Sequence, residues 1–140
     1  VSLIDRDPVF GTDRLSSGLM DFGAGRRLDF TVATQLAPFQ RLQLVGTKRR
    51  LEITIPYNAA QGEAVSLKLD SGAKLGDVAA ELIDIAPCDQ YAELVDAFGR
   101  AVLGEAPAPY AAEDAVRNME ILDALVRSER DGGWATVSPL

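Results

Sequence analysis

Apolar and polar residues alternate with a period of two over the first two thirds of the chain and with helical spacing over the last third, so strands precede helices. Leu28, Phe30 and Val32 alternate with Asp29, Thr31 and Ala33, and Leu51, Ile53 and Ile55 alternate with Glu52 and Thr54. Leu42 and Leu44 against Arg41 and Gln43 repeat the pattern, as do Val65, Leu67 and Leu69 against Ser66, Lys68 and Asp70. Each segment predicts a half-buried strand with one aliphatic face. Gly23-Ala24-Gly25, between residues 15–22 and 27–34, and Gly46-Thr47-Lys48-Arg49, between the next pair, predict short antiparallel hairpins. Longer loops follow over 56–64 and 71–76, with a further strand over 78–85.

At Pro87-Cys88-Asp89 the period changes. Asp89 is placed to cap a helix whose Leu94, Val95, Phe98 and Val102 fall on one stripe, with Gly104 ending it and Pro107 and Pro109 preventing its continuation. A second helix is predicted from about Ala112. Its start is acidic (Glu113, Asp114) and its end basic (Arg127, Arg130), as the helix dipole favours. Ala115, Met119, Leu122 and Val126, flanked by Ile121 and Leu125, form its expected buried stripe. Asp131-Gly132-Gly133 stops it, and Trp134 to Val137 are expected to add a short edge strand.

Strands followed by two amphipathic helices predict an α+β fold, a largely antiparallel open-faced sheet with the helices on one face. The other face would carry Asp29, Thr31, Ala33, Gln35, Arg41, Gln43, Val45, Glu52, Thr54, Ser66 and Lys68. It either meets water or stacks on the same face of a second subunit. With 140 residues, 47% hydrophobic and 25% charged, the chain reads as one domain able to form a core without staples. Its opening on Val1-Ser2-Leu3-Ile4, without Met, reads as a fragment of a longer protein.

Charge and composition then narrow the chemistry. A net charge of −7 argues against nucleic acid and anionic membranes as partners. No apolar run approaches the ~20 residues that span a bilayer, no signal segment opens the chain, and the single Cys88 agrees with a cytoplasmic setting. The chain contains no histidine, which removes imidazole general bases, Ser-His-Asp and Cys-His systems and the commonest zinc ligands.

The remaining candidates have plainer explanations. Gly23-Ala24-Gly25-Arg26-Arg27-Leu28 begins like a dinucleotide fingerprint, yet Leu28 replaces the third glycine and the segment leads into a strand. Asp5, Asp7 and Asp13 cluster with Arg6 and Arg14, but Val9 and Phe10 break the calcium-loop pattern, so an Arg-paired loop is expected rather than a metal site. Arg14 with Asp13 could line a polar pocket. Cys88 precedes a helix N-terminus but lacks a basic partner in sequence. Tyr57, Tyr91 and Tyr110 could each serve as an acid or a hydrogen bonder, though amphipathic packing explains them as well, and adjacent Glu113 and Asp114 point about 100° apart and cannot face one reacting atom. Read alone, the residues give a fold and no active site.

In order, the landmarks Asp13-Arg14-Leu15, the hairpin from Phe22 to Arg26, and Gln35-Leu36-Ala37-Pro38-Phe39-Gln40-Arg41 are followed by Leu44-Val45-Gly46-Thr47-Lys48 to Ile53. Asp89-Gln90-Tyr91, Phe98, and the run from Glu113 to Ala124 with Ser128 complete the set. Together they resemble the C-terminal part of a glucose-fructose oxidoreductase/inositol dehydrogenase (Gfo/Idh/MocA) family protein, over essentially the whole chain. The resemblance implies a substrate- and dimer-side domain of an NAD(P)-dependent dehydrogenase acting on a sugar, polyol or related hydroxyl compound. NAD or NADP would bind an N-terminal Rossmann domain outside these residues and not the fragment, which is expected to be inactive alone. It also implies a homo-oligomer formed through the polar sheet face. The family's cofactor glycines, its Glu-Lys-Pro lysine and its Asp and His have no counterparts here, so no catalytic, cofactor or metal residue carries over, and Arg14 is the one candidate for reaching substrate. Arg49 stands where the family often has Gly, which implies a turn without a left-handed residue there. The alternative is a stand-alone ligand-binding or dimerisation module without catalysis.

Overall fold

The computed structural model describes residues 1–75 and 80–137 and divides the chain into two compact units. Unit 1 comprises Val1–Ala37 and Tyr110–Leu140, and unit 2 comprises Pro38–Pro109. Among the described residues, seven strands and two helices make an α+β fold with two antiparallel sheets and no closed barrel.

Unit 1 is a three-stranded sheet of β1 (Ser2–Arg6), β2 (Asp13–Asp21) and β3 (Arg27–Ala33), in that order. Gly18 pairs with Ser2 on one side and Phe30 on the other, which puts Ser2, Ile4, Ser16, Gly18, Leu28, Phe30 and Val32 on one face. Leu3, Leu15, Ser17, Leu19, Asp29, Thr31 and Ala33 share the other. The β2–β3 hairpin needs three successive left-handed residues, Gly23, Ala24 and Gly25, and the Asp21 carboxylate accepts from the Gly23 N–H at its base.

Helix α2 (Ala112–Asp131) returns from the far end of the sequence to pack on the first face. The Ser2 hydroxyl donates to the Leu125 carbonyl, the Ser2 N–H donates to Ser128 Oγ at 3.1 Å, and Ser128 donates in turn to the Gly133 carbonyl. Arg6 and Glu129 form a two-pronged ion pair at 2.9 and 3.1 Å. These contacts select the face of the helix that docks: Ile121, Ala124, Leu125 and Ser128 turn inward, whereas Met119, Leu122 and Val126, expected inside, lie exposed. The expected edge strand at 134–137 does not form. The Gly133 and Thr136 carbonyls accept instead from Ser128 and Arg127.

Unit 2 is a meander of β4 (Leu42–Val45), β5 (Arg50–Ile53), β6 (Val65–Asp70) and β7 (Glu81–Ile85). The strands thus fall into two sheets rather than one continuous sheet, the segment between β3 and β4 containing Pro38, which has no N–H for a ladder. Residues 78 and 79 of the expected last strand lie outside the described residues. Arg49 is not left-handed, as its side chain requires. Helix α1 (Gln90–Val102) is capped by Asp89, whose carboxylate accepts from the Tyr91 and Ala92 N–H groups, and ends at left-handed Gly104. Its apolar stripe is not buried: Leu94, Val95, Phe98 (67% exposed) and Val102 all face outward.

The accessible surface is 11,149 Å². Usual scaling gives about 7,000 Å² for a folded monomer of this length, and about 8,400 Å² for two separate domains of half that length. Both figures are smaller, and among the described residues large apolar side chains such as Phe10, Phe39 and Phe98 are exposed.

Gly18 and Gly99 test the packing from opposite sides. A Cβ on Gly18 would meet the Phe30 ring at 2.5 Å and Leu125 at 3.3 Å, so Gly18→Ala is expected to destabilise by about 1–3 kcal/mol in denaturant unfolding. A Cβ on Gly99, within α1, meets nothing within 4 Å, so Gly99→Ala is expected to stabilise that helix by about 0.5–1 kcal/mol.

Candidate functional site

Arg14 opens β2, and its Nε donates to Asp5 Oδ2 at 2.8 Å across the β1–β2 pair. Its side chain is 38% exposed, so it sits in reach of a solute while held by a carboxylate. Asp7, in the loop between those strands, accepts from the N–H groups of Val9 and Phe10 at 2.8 and 3.0 Å. These bonds, with a smaller contribution from Gln35 and the nearby Arg14 charge, hold the Asp7 carboxyl below the usual carboxylate range. Asp13 accepts from the Ser16 hydroxyl at 3.4 Å. The three carboxylates predicted to crowd one loop are thus each committed to a different partner, and among the described residues no group of His, Cys, Asp or Glu is arranged to hold a metal ion. Arg14, Asp5, Asp7 and Gln35 form one polar end of unit 1.

The second polar constellation lies on the polar face that the alternation outlines. On unit 2, Arg50, Glu52, Lys68 and Asp70 share a sheet face with Gln43, Ser66 and Asp84. Glu52 accepts from Gln43 Nε2 at 2.8 Å, with Arg41 at 3.8 Å and Lys68 at 4.0 Å, and Arg50 pairs with Asp70 at 3.1 Å. Long neighbouring side chains cover these acids so well that Glu52 is 7% exposed and Asp70 is 6% exposed. On the opposite, aliphatic face, Leu44 remains open. The Gln43 hydrogen bond, and then the Arg41, Lys68 and Arg50 charges, hold Glu52 below its usual range against the opposing effect of desolvation. The sequence shows these as polar partners on alternate positions, but only the strand register makes Gln43, Glu52 and Lys68 one row.

The remaining sequence candidates do not converge. Cys88 is exposed beside the Asp89 cap, and the carboxylate of Asp89 is engaged by Gln61. Tyr57, Tyr91 and Tyr110 are exposed, and Glu113 and Asp114 occupy the first turn of α2, where the dipole favours them. The glycines resembling a cofactor loop sit in the hairpin between two antiparallel strands, and no helix N-terminus follows them. That hairpin therefore does not fit the dinucleotide fingerprint, which needs a strand, a glycine turn and a helix in that order.

No protein-family model matches the chain. It is 37% identical over 133 residues, 95% of its length, to the uncharacterized oxidoreductase ORF334 of Rhizobium meliloti. The chain spans 40% of the length of that curated relative. Two crystal structures of KijD10, a 3-ketoreductase from Actinomadura kijaniata, in complex with NADP and TDP-benzene share its fold. One is a lysine-to-alanine variant with a TM-score of 0.76 at 17% identity, and the other has a TM-score of 0.74 at 18% identity. Both alignments cover 99% of this chain, and 41% and 40% of the respective KijD10 chains. No helix among the described residues is long and apolar enough to cross a membrane.

The depressed carboxyls set a direction for pH dependence. Asp7, Glu52, Glu129 and Asp131 all titrate below their usual values, through hydrogen bonds to backbone N–H groups, Gln43, Arg6 and Arg130 respectively. Each favours the folded state above its unfolded pKa of about 4, and that contribution is lost as pH falls through the lower folded value. Thermal melting is expected to be level from neutral pH to about 5 and to fall below about 4. Glu52→Gln is expected to reduce stability at pH 7 and to make the acid limb shallower; an unchanged limb would remove Glu52 from the set.

Proposed function

We propose that these residues form the substrate- and subunit-side portion of an NAD(P)-dependent oxidoreductase of the Gfo/Idh/MocA type, acting in the cytoplasm on a sugar, polyol or related hydroxyl compound. The observation that carries the reading is the 37% identity across 95% of this chain to an oxidoreductase of which it spans only 40%. The KijD10 fold likeness supports the choice of substrate and cofactor, since that protein is a 3-ketoreductase seen with NADP and a TDP derivative.

In this reading the cofactor, NAD or NADP, is held by sequence beyond these residues, where it supplies the hydride chemistry. This chain contributes shape, charge and subunit contacts. Arg14, kept in place by Asp5, is the side chain proposed to reach the substrate, donating hydrogen bonds from the guanidinium nitrogens that Asp5 leaves free. The excess apolar surface supports a role inside a larger assembly over a stand-alone module. Leu3, 76% exposed, lies on the unit 1 face opposite α2, and Ser17 and Thr31 hydrogen-bond across the middle of that face at 2.9 Å. Short side chains of this kind permit close stacking of an identical face, and the subunit contact is proposed to run through it.

Two measurements test the reading. Titrating NADPH while following Trp134 fluorescence is expected to give no saturable change with the 140 residues alone. The native-length protein is expected to bind saturably and to reduce NAD(P)⁺ with a sugar or polyol. Saturable binding by the 140 residues would overturn the division of labour, and a native-length protein without turnover on a panel of such compounds would overturn the assignment. Light scattering on the native-length protein is expected to show an oligomer that Thr31→Arg dissociates, while an oligomer unaffected by Thr31→Arg would move the contact elsewhere.

A further inference from the structure

Unit 2 contains a small open cavity of about 260 Å³ between the β4–β5 hairpin and the loop that follows β6. Its lining includes four cations, Lys48, Arg49, Arg50 and Lys74, and one carboxylate, Asp70. That carboxylate is fully engaged: Oδ2 accepts from Arg50 at 3.1 Å and Oδ1 accepts from the Gly72 N–H at 2.9 Å. Lys48, Arg49 and Lys74 have no carboxylate partner among the described residues, although acids outnumber bases by 21 to 14 in the chain. Elsewhere, Arg6, Arg14, Arg41 and Arg130 each meet a carboxylate. The concentration of unpaired positive charge at this one concavity runs against the charge of the molecule.

The backbone keeps these cations together. The Gly46 N–H donates to the Arg49 carbonyl at 3.0 Å and closes the hairpin that presents Lys48 and Arg49. Left-handed Gly72 turns the facing loop, and the Ala73 N–H donates to the Ser71 hydroxyl. Arg50, clamped to Asp70, ties the two walls across neighbouring strands. Val45 and Leu75 are the large apolar residues of the lining, beside four cations, so the site suits a charged group that carries a small organic part.

We propose that this cavity binds the phosphate group of a phosphate-bearing small molecule. Three cations beyond the internal pair suit a dianion better than a single carboxylate, with the Arg49 fork donating bidentately and the lysines acting as point charges. The volume lies just below the ~300–1,000 Å³ of ordinary small-molecule sites, which fits a phosphate with a small organic group and excludes a whole dinucleotide. The inference is independent of the oxidoreductase reading, since the site includes neither Arg14 nor the polar end of unit 1.

The test is calorimetric titration of the native-length protein with inorganic phosphate, a hexose phosphate and the same hexose without phosphate. Saturable binding of either phosphate compound, weakened by added salt and missing for the neutral hexose, is expected. If inorganic phosphate binds as tightly as the hexose phosphate, the source is the free ion. If the hexose phosphate binds more tightly, it is a phosphorylated metabolite. Lys48→Gln, Arg49→Gln and Lys74→Gln together are expected to weaken binding by about tenfold or more, with the circular dichroism spectrum unchanged. Arg130→Gln, at the far end of α2, is expected to leave the affinity unchanged. Non-saturable binding, equal affinity in the triple variant, or equal binding of the neutral hexose would each overturn the proposal. Dehydrogenase activity is assayed in parallel, and its loss or retention bears on the preceding reading only.

Discussion

Unit 1 depends on a polar clasp between the two ends of the sequence. Ser2 and Ser128, separated by 126 positions, bury their hydroxyls against each other's backbone neighbourhood, and Ser128 is only 2% exposed. Around them Ala124, 5% exposed, is the one buried apolar residue among the described residues. Small side chains are what the site permits: Gly18 lies beneath the Phe30 ring, and α2 can approach β1 closely only because Ser2, Gly18 and Ala124 take so little room. A buried hydroxyl left without its partner costs about 1–3 kcal/mol, so the clasp specifies which face of α2 docks as well as holding it there.

Unit 2 has the same character by different means. Its best-covered residues are Glu52 and Asp70, sheltered by the long side chains of Arg41, Arg50 and Lys68 on a ladder of cross-strand pairs. Cross-strand pairs contribute roughly 0.2–1 kcal/mol each, which orders the register without supplying a core. The aliphatic side of the same sheet is only half-buried, with Leu44 and Ile85 exposed, and the stripe of α1 is exposed. In unit 1, α2 likewise carries apolar residues both inward, at Ile121 and Leu125, and outward, at Met119, Leu122 and Val126.

How much of this was legible in the sequence follows from the range of each interaction. Local signals read well: the Asp89 cap, the stops at Gly104 and Gly132, the hairpins at 23–25 and 46–49, and the alternation of β3 through β6 all rest on contacts within a few residues. The docking face of α2 did not, because a residue 126 positions away chooses it and because serine at the seam carries no hydrophobic signal. Nor did the division into two sheets, which turns on where the ladder is interrupted rather than on any strand's own pattern. The basic cavity left a trace in the Lys48-Arg49-Arg50 run, which reads as a solvated turn until the 71–75 loop is placed beside it.

The discontinuity of unit 1 has a consequence for how the molecule comes into being. During synthesis, strands β1 to β3 emerge before unit 2, yet the helix that covers them is specified some ninety residues later. Residues 38–109 form an uninterrupted stretch and can organise as soon as they leave the ribosome, whereas the first sheet must wait with its inner face bare. Closing so long a loop is slow more than it is costly, because the entropic penalty grows only with the logarithm of length while the search for a distant partner delays the nucleus. Unit 1 is therefore completed after unit 2 although its strands are made before it, and its exposure to aggregation or to capture by chaperones is set by how quickly translation delivers Leu125 and Ser128.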